Sequence, residues 1–237
     1  METNTTIQIE LVDNRISDKK KQKLIKSLPS YLKSKEKALV KKYGKAKTNK
    51  IISDALQKYP EIVNQTPTFN DSMYDALISL AGKMAALKKG MKSVGISTEE
   101  FVKFNIEQTR LKSKKAPGFI RKLTGKIYVS KPMRKYLSGV AKNISKNGWP
   151  TKLINGKKND DFVMSIETRN CQMVAFFETI GEGDIRPYCT FFDFTAAEAL
   201  GIGLKQVSAI DSGVCKYCFY RKGEVEWPTE VEKIIKS

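Results

Sequence analysis

The chain has 237 residues, 41% of them hydrophobic, enough to bury a core in one large domain or two small ones. Histidine is absent, which excludes Ser-His-Asp and Cys-His catalysis and histidine-ligated metals; any base must be Asp, Glu, Lys, Tyr or a second Cys. The net charge of +18 belongs to one part of the chain: residues 151–237 carry 11 Lys+Arg against 13 Asp+Glu, so the first 150 hold a net +20.

That basicity is spread over helical stretches such as "KSKEKALVKKYGKAK", with few aromatics interleaved for base stacking. Solvated helix faces, or a surface for an acidic partner such as a carrier protein, are expected ahead of nucleic-acid binding. No apolar run of about 18 residues is present, and the start "METNTTIQIELVDNR" lacks the basic and apolar segments of a signal peptide, so a cytoplasmic protein without membrane contact is expected. Four cysteines in such a chain are expected to be reduced thiols rather than a disulfide framework.

Residues 1–29 read as a weakly ordered basic lead-in containing one short strand, "TIQIEL". Residues 30–150 read as helical. One or two helices end before Pro60, where the missing amide opposes continuation. The next, "NDSMYDALISLAGKMAALKKG", repeats Met73, Ala76, Leu77, Leu80, Ala81, Met84 and Leu87 at helical spacing, with start signals at Asn70–Ser72 and a stop at Gly90. Ser97 and Glu100 form a capping-box spacing for a further helix, "APGF" breaks it, and "KPMRKYLSGVAKNISKN" is helical up to "NGWP".

After Pro150 the pattern changes. "DFVMSIETRN" alternates Phe162, Met164 and Ile166 against Ser165, Glu167 and Arg169, which predicts a strand with one buried face. Two short helices follow, "CQMVAFFETIG" and "PYCTFFDFTAAEALG", separated by the turn-like "EGDIRP". "LKQVSAIDSGVCKYCFYRKGE" predicts a hairpin turning near Asp211, Ser212 and Gly213. The expected architecture is α+β, a helical N-terminal layer packed on a small antiparallel sheet with two short helices, read as one integrated domain with all four cysteines in residues 151–237.

Cys171 follows a strand where a helix begins, and the amides and dipole there would lower a thiol's pKa; the alternative is a small apolar residue packed at a corner. Cys189 lies near the next helix start with Asp193 one turn on, among Phe191, Phe192 and Phe194. Burial there would raise the carboxyl toward the range of general acid-base work, although such an aspartate can also simply bond to backbone amides. Cys215 and Cys218 form a Cys-x-x-Cys spacing, but a strand sends the two side chains to opposite faces, unlike a redox pair at a helix start. A four-cysteine zinc site would need two close pairs, and Cys171 and Cys189 are 18 residues apart.

The segments "NCQMVAFFETIGEGDIRPYC" and "TFFDFTAAEALGIGLKQVSAIDSGVCKYCFYRK", together with "KKYGKAKTNKIISDAL", resemble the L-2-amino-thiazoline-4-carboxylic acid hydrolase family over residues 30–225. The family's cysteine positions fall on Cys171 and Cys189, its acid on Asp193, and its last-strand cysteine on Cys215 or Cys218. Two features depart from the pattern: three residues separate Cys189 from Asp193 where about two are expected, and the close pair in the last strand leaves that match open. The resemblance implies hydrolytic ring-opening of a small cyclic amidine at a C–N or C–S bond, without metal or organic cofactor. Cys189 or Cys171 would attack, Asp193 would move the proton, Cys215 would complete the catalytic set, and Asn170, Tyr188 and Tyr217, which adjoin the cysteines, would contact the substrate.

Overall fold

A computed structural model describes residues 9–237. The expected strand "TIQIEL" lies partly outside them, and Ile9–Leu11 form no strand. Helix α1 (Asp18–Tyr43) begins inside the stretch expected to be weakly ordered. Ser17 caps it by accepting the Lys20 amide, and Leu24, Leu28 and Leu32 recur at four-residue spacing to bury one stripe, which leaves the lysines of "DKKKQKLIK" on the other faces. The charge run is therefore the outer side of a helix rather than a disordered arm.

Proline does not end the next helix either. Helix α2 (Lys45–Asn64) runs through Pro60, and the break falls earlier, at Gly44, whose φ of 81° suits glycine. Pro60 removes the amide that would meet the carbonyl of Leu56, a residue on the exposed face, where water can take its place.

Helix α3 (Ser72–Lys92) is capped by Asp71, which accepts the amides of Met73 and Tyr74, and it continues through the expected stop at Gly90. Gly90 serves a different need. A Cβ there would lie 2.3 Å from the Ile51 carbonyl oxygen, so the bare backbone lets α3 press against α2. Gly90→Ala is expected to lower the unfolding free energy by about 1–3 kcal/mol in urea titrations. Gly82→Ala is the control, because its added methyl meets nothing closer than 3.6 Å, and it should be neutral or slightly stabilising.

Helix α4 (Thr98–Ser113) starts as its spacing predicts, with Ser97 accepting the Glu100 amide at 3.2 Å. Between it and the expected α6 (Lys131–Lys146) lies α5 (Gly118–Tyr128), which no sequence signal announced. The C-terminal part holds β1 (Thr151–Asn155), β2 (Met164–Thr168), α7 (Gln172–Thr179), α8 (Phe191–Leu200), β3 (Gly203–Ser208), β4 (Cys215–Tyr220), β5 (Val225–Glu226) and α9 (Thr229–Lys236). The five strands form one sheet in the order β1-β2-β4-β3-β5. All pairs are antiparallel except β3 with β5, so the short last strand makes the sheet mixed. The α+β class and the β3–β4 hairpin, turning through Ile210–Ser212 and Gly213, agree with the sequence reading.

One core joins the two halves: Leu39, Phe69 and Val102 cluster with Phe176, Ile185 and Val231. A buried ion pair crosses the same seam. Lys88 of α3, 2% exposed, meets Glu182, 3% exposed, and also Asp184 at 2.5 Å, both in the loop after α7. Lys89 adds a contact to Glu182 at 3.1 Å.

Candidate active site

The sheet, α3, α7 and α8 enclose a hollow of about 190 Å³. Its floor is one face of β2 and β4. The register pairs Thr168 with Cys215 and Ile166 with Tyr217, and the two-residue alternation turns all four toward the hollow. Its roof is α3, through Tyr74, Leu77, Leu80, Ala81 and Met84. The helical periodicity of that segment was legible, but Leu77, Leu80, Ala81 and Met84 also border a cavity.

The chain turns from β2 into α7 at Asn170, whose φ of 45° is left-handed, and this corner presents Cys171 at the helix start. The adjacent Gln172 is fully buried and clamps the N-terminal segment: its Oε1 accepts the Val12 amide at 2.8 Å and its Nε2 donates to the Glu10 carbonyl at 2.9 Å. Cys189 closes the short 3-10 turn Gly183–Tyr188, and Asp193 follows one helical turn later in the first turn of α8. Cys171, Cys189, Cys215, Asp193 and Tyr217 all line the hollow, so five of the seven expected site residues converge. The other two do not. Asn170 is the turn residue just described, and Tyr188 faces away, its hydroxyl donating to Glu99 at 3.0 Å on the outer side of α4.

Asp193 makes no hydrogen bond or ion pair with any described residue. Asp193 is an exposed residue that also borders the hollow, and desolvation by the walls around its carboxyl pushes it up to about 6. The anticipated bonds to backbone amides are therefore not what holds it. Thr190, the residue before α8, gives no side-chain cap, and its buried hydroxyl also lacks a partner.

The thiols behave differently from expectation. Burial raises Cys171, and it outweighs the amides of Val174 and Met173 and the charge of Arg186, which act in the opposite sense. Burial thus outweighs the helix-start amides, and the expected depression is reversed. Burial also raises Cys189 far above its ordinary value, with Cys171, Cys215 and Asp193 adding to the rise. Cys215 is pushed up to about 12 by burial, with hydrogen bonds from Tyr217 and Gln206 only partly offsetting it. Cys218 lies on the opposite face of β4, outside the hollow, as strand alternation predicted.

Three further wall residues carried no sequence signal: Tyr74, Tyr128 and Trp149. Tyr74 stands edge-on to Trp149 with centroids 4.8 Å apart, and the buried indole N–H of Trp149 has no partner among the described residues. Burial raises the phenol of Tyr128 to about 12, and Asp193 adds to it. Although the chain has 43 Lys+Arg, none lines this hollow. Among the described residues, no three His, Cys, Asp or Glu side chains form a metal-holding group. No family model, no curated protein and no solved structure matches the chain.

Proposed function

We propose that the chain is a cysteine-dependent hydrolase that opens a small cyclic amidine at a C–N or C–S bond, the chemistry implied by its resemblance to the L-2-amino-thiazoline-4-carboxylic acid hydrolases. One observation carries this reading: an unpaired carboxyl, poised near pH 6, faces the same hollow as three thiols. Because burial keeps the thiols protonated at rest, attack needs a base, and among the described residues Asp193 is the only carboxylate on the wall. An amidine enters protonated, and its cation satisfies the carboxylate that no described residue satisfies. The aromatic faces of Tyr74, Trp149 and Tyr217 suit the same charge.

In the reaction, Asp193 takes the Cys189 or Cys171 proton as sulfur bonds to the amidinium carbon. In a 2-amino-thiazoline the ring C–S bond then breaks, and the leaving sulfur takes that proton back from Asp193. Water adds to the enzyme-bound isothiourea and releases a urea and the free thiol. The scheme requires no metal or organic cofactor.

The substrate is expected to lack a carboxylate, since no wall cation would hold one. This separates it from the acid named in the family title. Incubation with 2-amino-2-thiazoline should liberate a titratable thiol, faster than from the 4-carboxylate, with a rate that rises as pH passes about 6. No thiol release from either compound between pH 5 and 9 would refute the hydrolase. The raised thiols favour a second reading, a non-catalytic module that holds the small molecule while its basic helices dock an acidic carrier protein. Binding without ring-opening in the same assay would support it.

A further inference from the structure

Helix α5 is mounted inside out. Its apolar residues Phe119, Ile120, Leu123 and Ile127 lie on one stripe, and that stripe faces solvent, with Phe119 72% exposed, Leu123 55% and Ile127 51%. Its only buried residue is Gly125. A Cβ there would lie 2.4 Å from the Leu200 carbonyl oxygen, so the glycine seats the helix against the end of α8 by its non-apolar side. Leu111 and Tyr136, in the helices before and after it, are also exposed, both 57%. From Leu111 to Tyr136 the chain carries nine Lys/Arg and no Asp or Glu, and none of the seven lysines in that stretch forms an ion pair with a described residue.

We infer that α5 docks this protein on an anionic membrane surface, with Phe119, Ile120, Leu123 and Ile127 entering the interface and the surrounding lysines meeting lipid phosphates. An exposed apolar stripe whose charged sequence neighbours are all cations is the pattern of a helix lying in a bilayer interface. Contact of this kind needs no spanning segment, and among the described residues no helix is long and apolar enough to be one. A second copy of the same face is disfavoured, because two such cationic surfaces repel. Since α8 covers the inner side of α5, only the outer half of the helix is free, which suits a plane better than a partner's groove. Tyr128, the last residue of α5, is also a wall of the hollow, so the docking helix adjoins the site of the proposed function.

The test is co-sedimentation of the full chain with vesicles of phosphatidylglycerol and phosphatidylcholine in equal parts, against phosphatidylcholine alone. Binding to the anionic vesicles is expected to be about tenfold or more tighter, and to weaken as salt rises to about 0.5 M. The double variant Phe119→Ser, Leu123→Ser should weaken it by about a hundredfold, roughly tenfold for each apolar side chain withdrawn from the interface. Both side chains are exposed, so the circular dichroism spectrum should not change. Unchanged vesicle binding by this variant would reduce the effect to general lysine electrostatics and overturn the proposal. Equal binding to neutral vesicles would overturn the charge selectivity. No sedimentation with either would leave the stripe to an acidic protein partner, which also overturns it.

Discussion

Asp193→Asn is expected to lower ring-opening turnover by about two to four orders of magnitude while making the folded protein more stable at neutral pH. The first part follows from chemistry. Asparagine fills the same space but can neither take a thiol proton nor return it to the leaving group. The second follows from the direction of the pKa shift. The folded carboxyl titrates near 6, above its ordinary range, so folding opposes its ionisation. The penalty grows as pH rises from about 4 to about 6, is complete above that, and is absent when the group is protonated in both states. The variant should therefore gain on the wild type at pH 7 to 8 in urea titrations, with the advantage fading toward pH 4. A destabilised variant at neutral pH would mean that Asp193 is a structural residue. A stable variant with undiminished turnover would remove the proposed proton carrier.

The second large effect concerns the seam between the halves. Glu182→Gln should lower stability by about 3 kcal/mol, because it leaves the Lys88 ammonium in the interior without its closest counter-charge. Asp184 remains within 2.5 Å of Lys88 and limits the loss. Replacing both partners, Lys88→Met with Glu182→Leu, should recover most of it, since a desolvated ion pair is often no better than an apolar pair of similar size. A Glu182→Gln loss well below about 1 kcal/mol would show that water reaches the site. The same cluster sets the acid sensitivity. Burial acts to raise Asp184, but hydrogen bonds from Lys88 and Thr98, with the Lys88 and Lys92 charges, bring it down to about 2. Its contribution is present above the ordinary carboxyl range and is lost as pH falls from about 4 toward 2.

Local rules read the helices well and their ends poorly. Ser97 and the Asp71 region announced starts, because a cap is a short-range bond between a side chain and nearby amides. Gly90 and Pro60 misled as stops, because their roles depend on the surrounding fold: a close approach of α2 and α3 for the glycine, and continuation on a solvated face for Pro60. Cys171, Cys189, Asp193, Cys215 and Tyr217 were found because helix and strand periodicities suffice to put them on common faces. The roof from α3 and the wall at Trp149 were invisible, since nothing in "NGWP" or "NDSMYDAL" says which cavity an apolar side chain will border. The thiol pKa directions were missed for a related reason: helix-end amides are a local feature, whereas desolvation is set by the whole surround.

The walls of the hollow are contributed by both halves of the chain: α3 from the first 150 residues, and the sheet, α7 and α8 from the rest. A fragment holding residues 151–237 would keep all four cysteines and Asp193 and yet enclose nothing, because its floor would be open to water where Tyr74, Leu80 and Met84 now stand. In such a fragment the aspartate would titrate as an ordinary surface acid. Mixing it with the complementary 1–150 piece would make recovery of the elevated titration a direct gauge of reassembly.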